Sequence, residues 1–470
     1  MNAHLILLAL LAIWLPGVLP FQLFAGEQPA TKPNIVFIIV DDLGYRNLGC
    51  YGGRSIQTPN IDAMCKEGMR FTDCYSGASV CAPARSTLMT GYHLGHAPVR
   101  GNSGGTPLFP EDLTVAEILK KAGYLTGGFG KWGLGNQGSQ GAAEKQGFDT
   151  FFGYYNQVHA HDYYTSHLFR NSERVELNGP LHDVIANGEP TARKGRYSHY
   201  AIFDETLKFI KDSAASGKPF FCYAAWTPPH SNLVIPADDP AWGLYKGKEE
   251  LPGRAKAVAA MNSMVDRHVG ELLGLLEELK IDDNTIVFFT SDNGASRPWP
   301  GVLDSCGELK GFKGSSYEGG IRVPMVVRWP GKIKAGTVSD LPWYFPDVMP
   351  TLAELAGVSN EVPKDTDGIS IVPTLLGNGV QKKHEYLFWS GAIRMGNWKG
   401  VGNPQKIALY DLGSDLGETN DVAKEHPDVV AALTDFMREA WTEPRSQESD
   451  GTYTGREEPI DTLGKPLVPQ

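Results

Sequence analysis

Two apolar runs end in hard oxygen donors. Residues 34 to 40 (NIVFIIV) lead into Asp41 and Asp42, and residues 285 to 291 (TIVFFTS) lead into Asp292 and Asn293. Short runs that are apolar throughout predict strands buried on both faces of a largely parallel sheet. Such sheets bind ligands at the carboxyl ends of their strands, so both donor pairs are expected on one sheet edge. A single AspAsp pair after a strand also serves as a helix cap or a turn. Two such strand ends in one chain favour a cation site. Three carboxylates and an amide oxygen, with no thiolate or imidazole among them, suit calcium or magnesium rather than zinc.

A third element carries a nucleophile. In VCAPARSTLMTG, residues 80 to 91, Pro83 and the stretch after it suit the first turn of a helix. Cys81 then sits where unpaired backbone N–H groups and the positive dipole end favour an anion such as sulfate or phosphate. Arg85, four residues on, returns along the same helix face. Read without further context, Cys81 is equally a cysteine nucleophile of lowered pKa or a half-buried structural residue.

CAPAR at 81 to 85, with ThrGly at 90 and 91, resembles the CxPxR signature of the formylglycine-dependent sulfatases of the alkaline-phosphatase-like superfamily. The resemblance continues through Asp41–Asp42, TPNIDAMCKEGMRFTDCYS at 58 to 76, GKW at 130 to 132, PPH at 228 to 230, SDNG at 291 to 294, KGSSYEGGIRVP at 313 to 324 and LYDLGSDLGETND at 409 to 421. It implies that a separate formylglycine-generating maturation enzyme converts Cys81 to formylglycine, whose hydrate supplies the hydroxyl that attacks sulfur. It also implies one calcium ion held by Asp41, Asp42, Asp292, Asn293 and the modified Cys81. Arg85 would steady the formylglycine hydroxyls, Lys131 and Lys313 would bind sulfate oxygens, and His230 would protonate the leaving alcohol. These roles fit the physics, because fixed cations and a metal offset charge that builds on sulfate oxygens in transfer.

Gly133 departs from the pattern. The family usually reads GKWHLG, where the histidine takes a proton from the second hydroxyl as sulfate is expelled; this chain reads GKWGLG. His159 and His161, in QVHAHDYYTSH, are the candidates to enter the pocket from another loop, and otherwise are surface or substrate-contacting residues. Ala84, where many members have serine, is a smaller departure. The aromatic and histidine-rich stretch 159 to 170 and the RPWPG loop with Arg297 could form a platform for a sulfated sugar, since ring faces pack on aromatics and guanidinium groups pair with anions.

These residues need a large scaffold. The 470 residues, 41% hydrophobic with 54 glycines and 32 prolines, describe a folded, loop-rich α/β enzyme rather than a low-complexity chain. Further strands are expected at 219 to 226 and 323 to 329, and a long helix at 254 to 280 on which His268 is read as a structural side chain. The expected fold is a large mixed, mostly parallel sheet sandwiched by helices, with a smaller C-terminal α+β domain containing an antiparallel sheet. The expected division is a signal peptide at 1 to 26, a catalytic domain at 32 to 380, a C-terminal subdomain at 381 to 445 and a tail at 446 to 470. The leader, an apolar run broken by Pro16 and Pro20, is too short for a stable membrane span and predicts export to the periplasm or beyond. A net charge of −11 argues against nucleic acid as a partner. Six cysteines without a CxxC pair argue against a zinc ribbon; Cys50 with Cys65 or Cys74 is a possible disulfide.

The leading expectation is therefore a sulfuric ester hydrolase acting on a sulfated carbohydrate of galactan or glycosaminoglycan type. Two other readings stand beside it. One is a phosphate mono- or diester hydrolase of the same superfamily, which the lysine pair and one-metal ligand set oppose. The other is a weakly catalytic protein that binds sulfated glycans, for which Gly133 is the supporting feature.

Overall fold

The computed structural model describes residues 32–102 and 107–445. The leader at 1 to 26 and the tail at 446 to 470 lie outside the described residues. No helix among the described residues is long and apolar enough to cross a membrane. All six cysteines are reduced.

A ten-stranded sheet forms the centre. Five neighbouring strands are parallel, in the order Thr285–Ser291, Asn34–Val40, Phe220–Trp226, Leu125–Lys131 and Thr150–Tyr154. Every residue of the first three is buried, as uninterrupted apolar runs require when helices cover both faces. The strand expected at 323 to 329 is Met325–Arg328 and runs antiparallel to Thr285–Ser291. Three more antiparallel pairings extend the sheet at its margins, so it is mixed but parallel where it carries the donors.

The Leu125–Lys131 strand depends on glycine. Gly130 has φ +119°, and a Cβ there would lie 1.9 Å from the Ala225 carbonyl oxygen on the neighbouring strand. Only a residue without a side chain lets the two backbones approach this closely, and that approach brings Lys131 to the sheet edge.

Gly253–Glu278 is the long helix the periodicity predicts. Its His268 stacks on Phe203 with ring centroids 4.1 Å apart and holds Nδ1 2.9 Å from His199 Nε2, a buried structural arrangement. Beyond it, Leu387–Trp389, Ala392–Met395, Trp398–Asn403 and Lys406–Asp411 form an antiparallel four-stranded sheet. Helix Pro427–Glu439 packs Leu433 and Met437 onto Phe388, Ile393 and Leu409 of that sheet. The small sheet is joined to the large body by a buried ion cluster in which Lys399 Nζ lies 2.7 Å from Glu318 and 2.9 Å from Glu418. Burial opposes ionisation of Glu318, but Lys399, Arg322 and Arg394 outweigh it and hold the carboxyl well below the usual range.

Candidate active site

Four parallel strands deliver the site in spatial order. Val40 is the register partner of Ser291, so Asp41 and Asp42 leave the sheet beside Asp292 and Asn293. Phe220–Trp226 continues through Thr227, Pro228 and Pro229 to His230, and Leu125–Lys131 ends on Lys131 itself. The helix Cys81–Thr90 starts at this edge, with its first residue facing the carboxylates.

The side chains converge on Cys81. Its Sγ lies 3.2 Å from Asp41 Oδ1, and Lys313 Nζ lies 3.3 Å from the same sulfur. Lys313 also pairs with Asp42 at 2.7 Å, and Lys131 Nζ with Asp41 at 2.6 Å. Arg85 reaches back as its helical spacing predicts, 2.8 Å from Asp292 and 3.4 Å from Asp41. Its Nη1 donates to the Lys131 carbonyl at 2.6 Å, which locks the guanidinium to the strand end. His230 Nδ1 donates to the Ser231 carbonyl at 2.6 Å, leaving Nε2 to face Asp42 at 3.7 Å and Asp41 at 3.9 Å.

The backbone here is under constraint. Asp42 has φ +71°, a left-handed conformation that costs a non-glycine residue on the order of 1–3 kcal/mol. Asn293 Nδ2 donates to Asp42 Oδ1 at 2.7 Å, and Ser291 Oγ accepts from the Leu43 amide at 2.9 Å, which hold the turn in place. The result is that two consecutive aspartates both face the site.

Burial and crowded charge set the protonation states. Burial opposes ionisation of Asp41, but Lys131, His230, Arg85 and Lys313 outweigh it and hold its carboxyl well below the usual range. Asp292 is pushed up to about 6 by burial and by Asp41. Burial, with Asp292 and Asp41, pushes the Cys81 thiol up, so the unmodified cysteine is a neutral thiol and a poor nucleophile. Burial alone would depress Lys131 and Lys313, but Asp41 and the Cys81 thiol for the first, and Asp42 and Cys81 for the second, keep both cationic. Burial pushes His230 down to about 4 against the pull of Asp41, so the ring is neutral near pH 7.

The donor set fits a hard cation. Asn293 Oδ1 is buried with no hydrogen-bond partner on an amide whose Nδ2 bonds Asp42, and ligand atoms of Asp41, Asp42, Cys81 and His230 lie within 4.8 Å of one another. An orphaned amide oxygen among carboxylates is what calcium or magnesium coordination satisfies.

The other candidates divide. His161 stacks on His230 with ring centroids 4.6 Å apart. His159 does not reach the cluster: its Nε2 lies 2.7 Å from Thr165 Oγ1, and its ring packs on Tyr154 and His167. Arg297 is exposed on the loop after Asn293 and makes no hydrogen bond or ion pair among the described residues. Two contributors escaped the sequence reading. Asn102 Oδ1 accepts the Ala82 amide at 2.9 Å, capping the start of the motif helix from a distant loop. Gln157 fills the space beside Gly133, where a Cβ would lie 2.0 Å from its Nε2. Neither residue carries a local motif.

A sheet edge that gathers carboxylates, fixed cations and a helix-borne cysteine around one point is the site of a hydrolase that transfers an oxyanion. The chain belongs to the sulfatase family and is a sulfuric ester hydrolase: the Sulfatase family profile matches residues 33–358, and that of the N-sulphoglucosamine sulphohydrolase C-terminal region matches 308–443. Human arylsulfatase A is 33% identical over 476 aligned residues, 89% of either chain. An N-acetylgalactosamine-6-O-sulfatase of Bacteroides thetaiotaomicron is 30% identical, with 88% of this chain and 94% of the relative aligned. Among solved structures, Ps i-CgsB in complex with k-i-k-neocarrahexaose superposes with a TM-score of 0.75 at 29% identity, covering 89% of this chain and 94% of that one.

Proposed function

We propose that the protein is an exported sulfatase that removes sulfate from a sulfated carbohydrate, with Cys81 matured to formylglycine and one calcium ion at the carboxylate edge. The observation that carries this reading is the convergence of Lys131, Lys313, Arg85 and His230 on Cys81 beside Asp41, Asp42, Asp292 and Asn293. A galacto-configured sugar is the preferred substrate class. Relatives named as N-acetylgalactosamine-6-sulfatases and a neighbour solved with a neocarrahexaose support it.

A calcium ion bound by Asp41, Asp42, Asp292, Asn293 and residue 81 would neutralise charge on the sulfate oxygens. The formyl group at position 81, as its hydrate, supplies the attacking hydroxyl that a neutral thiol does not. The chain's own side chains do the rest. Lys131 and Lys313, both cationic, bind and orient sulfate oxygens over residue 81. Arg85, buried and held by Asp292 and the Lys131 carbonyl, fixes the position from which attack occurs. His230 presents Nε2 to the leaving oxygen. Negative charge building on the leaving oxygen raises the affinity of this ring for a proton, which it then gives to the departing alcohol. His161, stacked behind it, is the residue we assign to proton transfer in the place left by Gly133. The leader at 1 to 26 supports export.

The test is release of inorganic sulfate from defined sulfated galactose, N-acetylgalactosamine, glucosamine and fucose sugars by protein produced with a formylglycine-generating enzyme. Release from a galacto-configured sugar supports the reading. Release of phosphate from phosphate esters, with no sulfate release, would replace it with the phosphohydrolase.

A further inference from the structure

At the far end of the motif helix from Cys81, the turn Gly91–Pro98 meets the loop Pro363–Ile371. Three side chains converge there. His96 Nδ1 lies 3.0 Å from both carboxylate oxygens of Asp367, and His93 Nε2 lies 3.5 Å from Asp367 Oδ1. The two imidazoles stack with centroids 4.3 Å apart. The His93 backbone amide donates to Asp367 Oδ2 at 2.9 Å, which fixes the carboxylate from below.

His93 is 2% exposed, and its Nε2 has no hydrogen-bond partner. The 3.5 Å separation from Asp367 is too long for a good hydrogen bond. It is, however, the right length for something else. Ligands held about 2.0–2.1 Å from a tetrahedral ion stand roughly 3.3 Å apart, and one atom from each of the three residues falls within 4.8 Å of the others. We propose that His93 Nε2, His96 Nδ1 and Asp367 form a binding site for a zinc-class divalent cation, separate from the carboxylate edge that faces Cys81.

Two imidazoles and one carboxylate are a borderline donor set that selects zinc, cobalt or nickel over calcium and magnesium. Access is from the His96 side, where a cavity of about 490 Å³ is lined by His96 with Tyr92, Glu111, Asp112, Asp365 and Arg445, the last paired with Asp112. Protons balance on binding. Without metal the Gly95 amide donates to His93 Nδ1 at 3.1 Å, so the ring proton sits on Nε2, where no acceptor holds it. Metal on Nε2 moves that proton to Nδ1, so the Gly95 amide gives up its bond to this nitrogen as the ion binds.

The consequence is structural. Thr366 Oγ1 and the Gly368 amide already donate to the Gly91 carbonyl, which ends the motif helix. A metal on Asp367, between those two residues, would clamp the tail of the helix whose head carries Cys81 and Arg85.

The experiment is calorimetric titration of zinc chloride into the full chain with calcium saturating, so that the carboxylate edge is filled. One additional zinc per chain is expected, with affinity lowered by at least about tenfold in His96→Gln, since even an outer partner of a metal ligand is worth that much. No additional zinc in the wild type, or equal binding in His96→Gln, overturns the proposal. Should His96→Gln fail to fold, anomalous diffraction at the zinc edge from wild-type crystals decides the matter. A peak between His93 Nε2 and Asp367 upholds the site, and its absence removes it.

Discussion

His161 lies stacked on His230, ring centroids 4.6 Å apart and planes 29° from parallel. The contact is reinforced from behind, because the Asn232 amide donates to the His161 carbonyl and Tyr163 donates to the His230 carbonyl. Two loops distant in sequence are thereby pinned to each other at the mouth of the site. Burial and the neighbouring His230 push His161 down to about 3, so it meets the reaction as a neutral ring.

His161→Ala should therefore lower turnover by about 100-fold, the usual size of a lost proton-transfer group. His159→Ala should keep turnover within a few-fold while lowering thermal stability, because that ring is packed on Tyr154 and His167. Steady-state kinetics beside thermal melts of both variants separate the two; equal turnover losses would contradict the assignment.

His230→Ala should discriminate between leaving groups. Loss of the proton donor should slow release from a sugar sulfate by about 100- to 10,000-fold. An activated aryl sulfate, whose phenolate leaves without protonation, should lose far less. Comparing the two substrates on one enzyme preparation gives the ratio, and a uniform loss would mean that His230 binds sulfate instead.

Calcium should stabilise the fold. Asp292, pushed up to about 6 by burial and by Asp41, marks an edge where negative charge is incompletely offset. Calcium at 100 times its Kd should raise stability by about 2.7 kcal/mol, and Asn293→Leu should abolish most of that gain. Thermal melts with calcium and with a chelator measure both. Arg85→Met should cost about 3–5 kcal/mol without calcium, because it leaves Asp292 without its buried partner.

Acid should destabilise the protein through His199. Burial, with Arg267 nearby, pushes this ring down from 6.5 to about 3, and burial depresses its partner His268 as well. Below pH 6.5 the unfolded chain binds protons that the folded chain refuses, so stability falls as pH drops. The loss from His199 alone amounts to about 2 kcal/mol between pH 6.5 and 5. Denaturant melts across that range should show a shallower slope in a His199→Gln, His268→Gln double variant.

The donors at 41, 42, 292 and 293 were readable because their strands are apolar on both faces and stop abruptly at carboxylates. The long helix and the antiparallel C-terminal sheet were readable from periodicity for the same kind of reason. The strand that ends on Lys131 was not, since LTGGFGK owes its place to a backbone approach at Gly130 rather than to side chains. The direction of Met325–Arg328 was also hidden, because a buried run reads alike in either orientation. Choosing between His159 and His161 required the 3-10 turn that carries both, which points one ring at Thr165 and the other at His230. Gln157 beside Gly133 is a tertiary substitution across 24 positions, and no local pattern announces it.

The most direct test follows the Cys81 peptide and sulfate release on the same preparations. Protein made with a formylglycine-generating enzyme should show residue 81 with sulfur replaced by oxygen and two hydrogens lost, and sulfate release should scale with the converted fraction. Cys81→Ser should release almost none. Full sulfate release from protein whose Cys81 is an unmodified thiol, or from Cys81→Ser, would contradict the account.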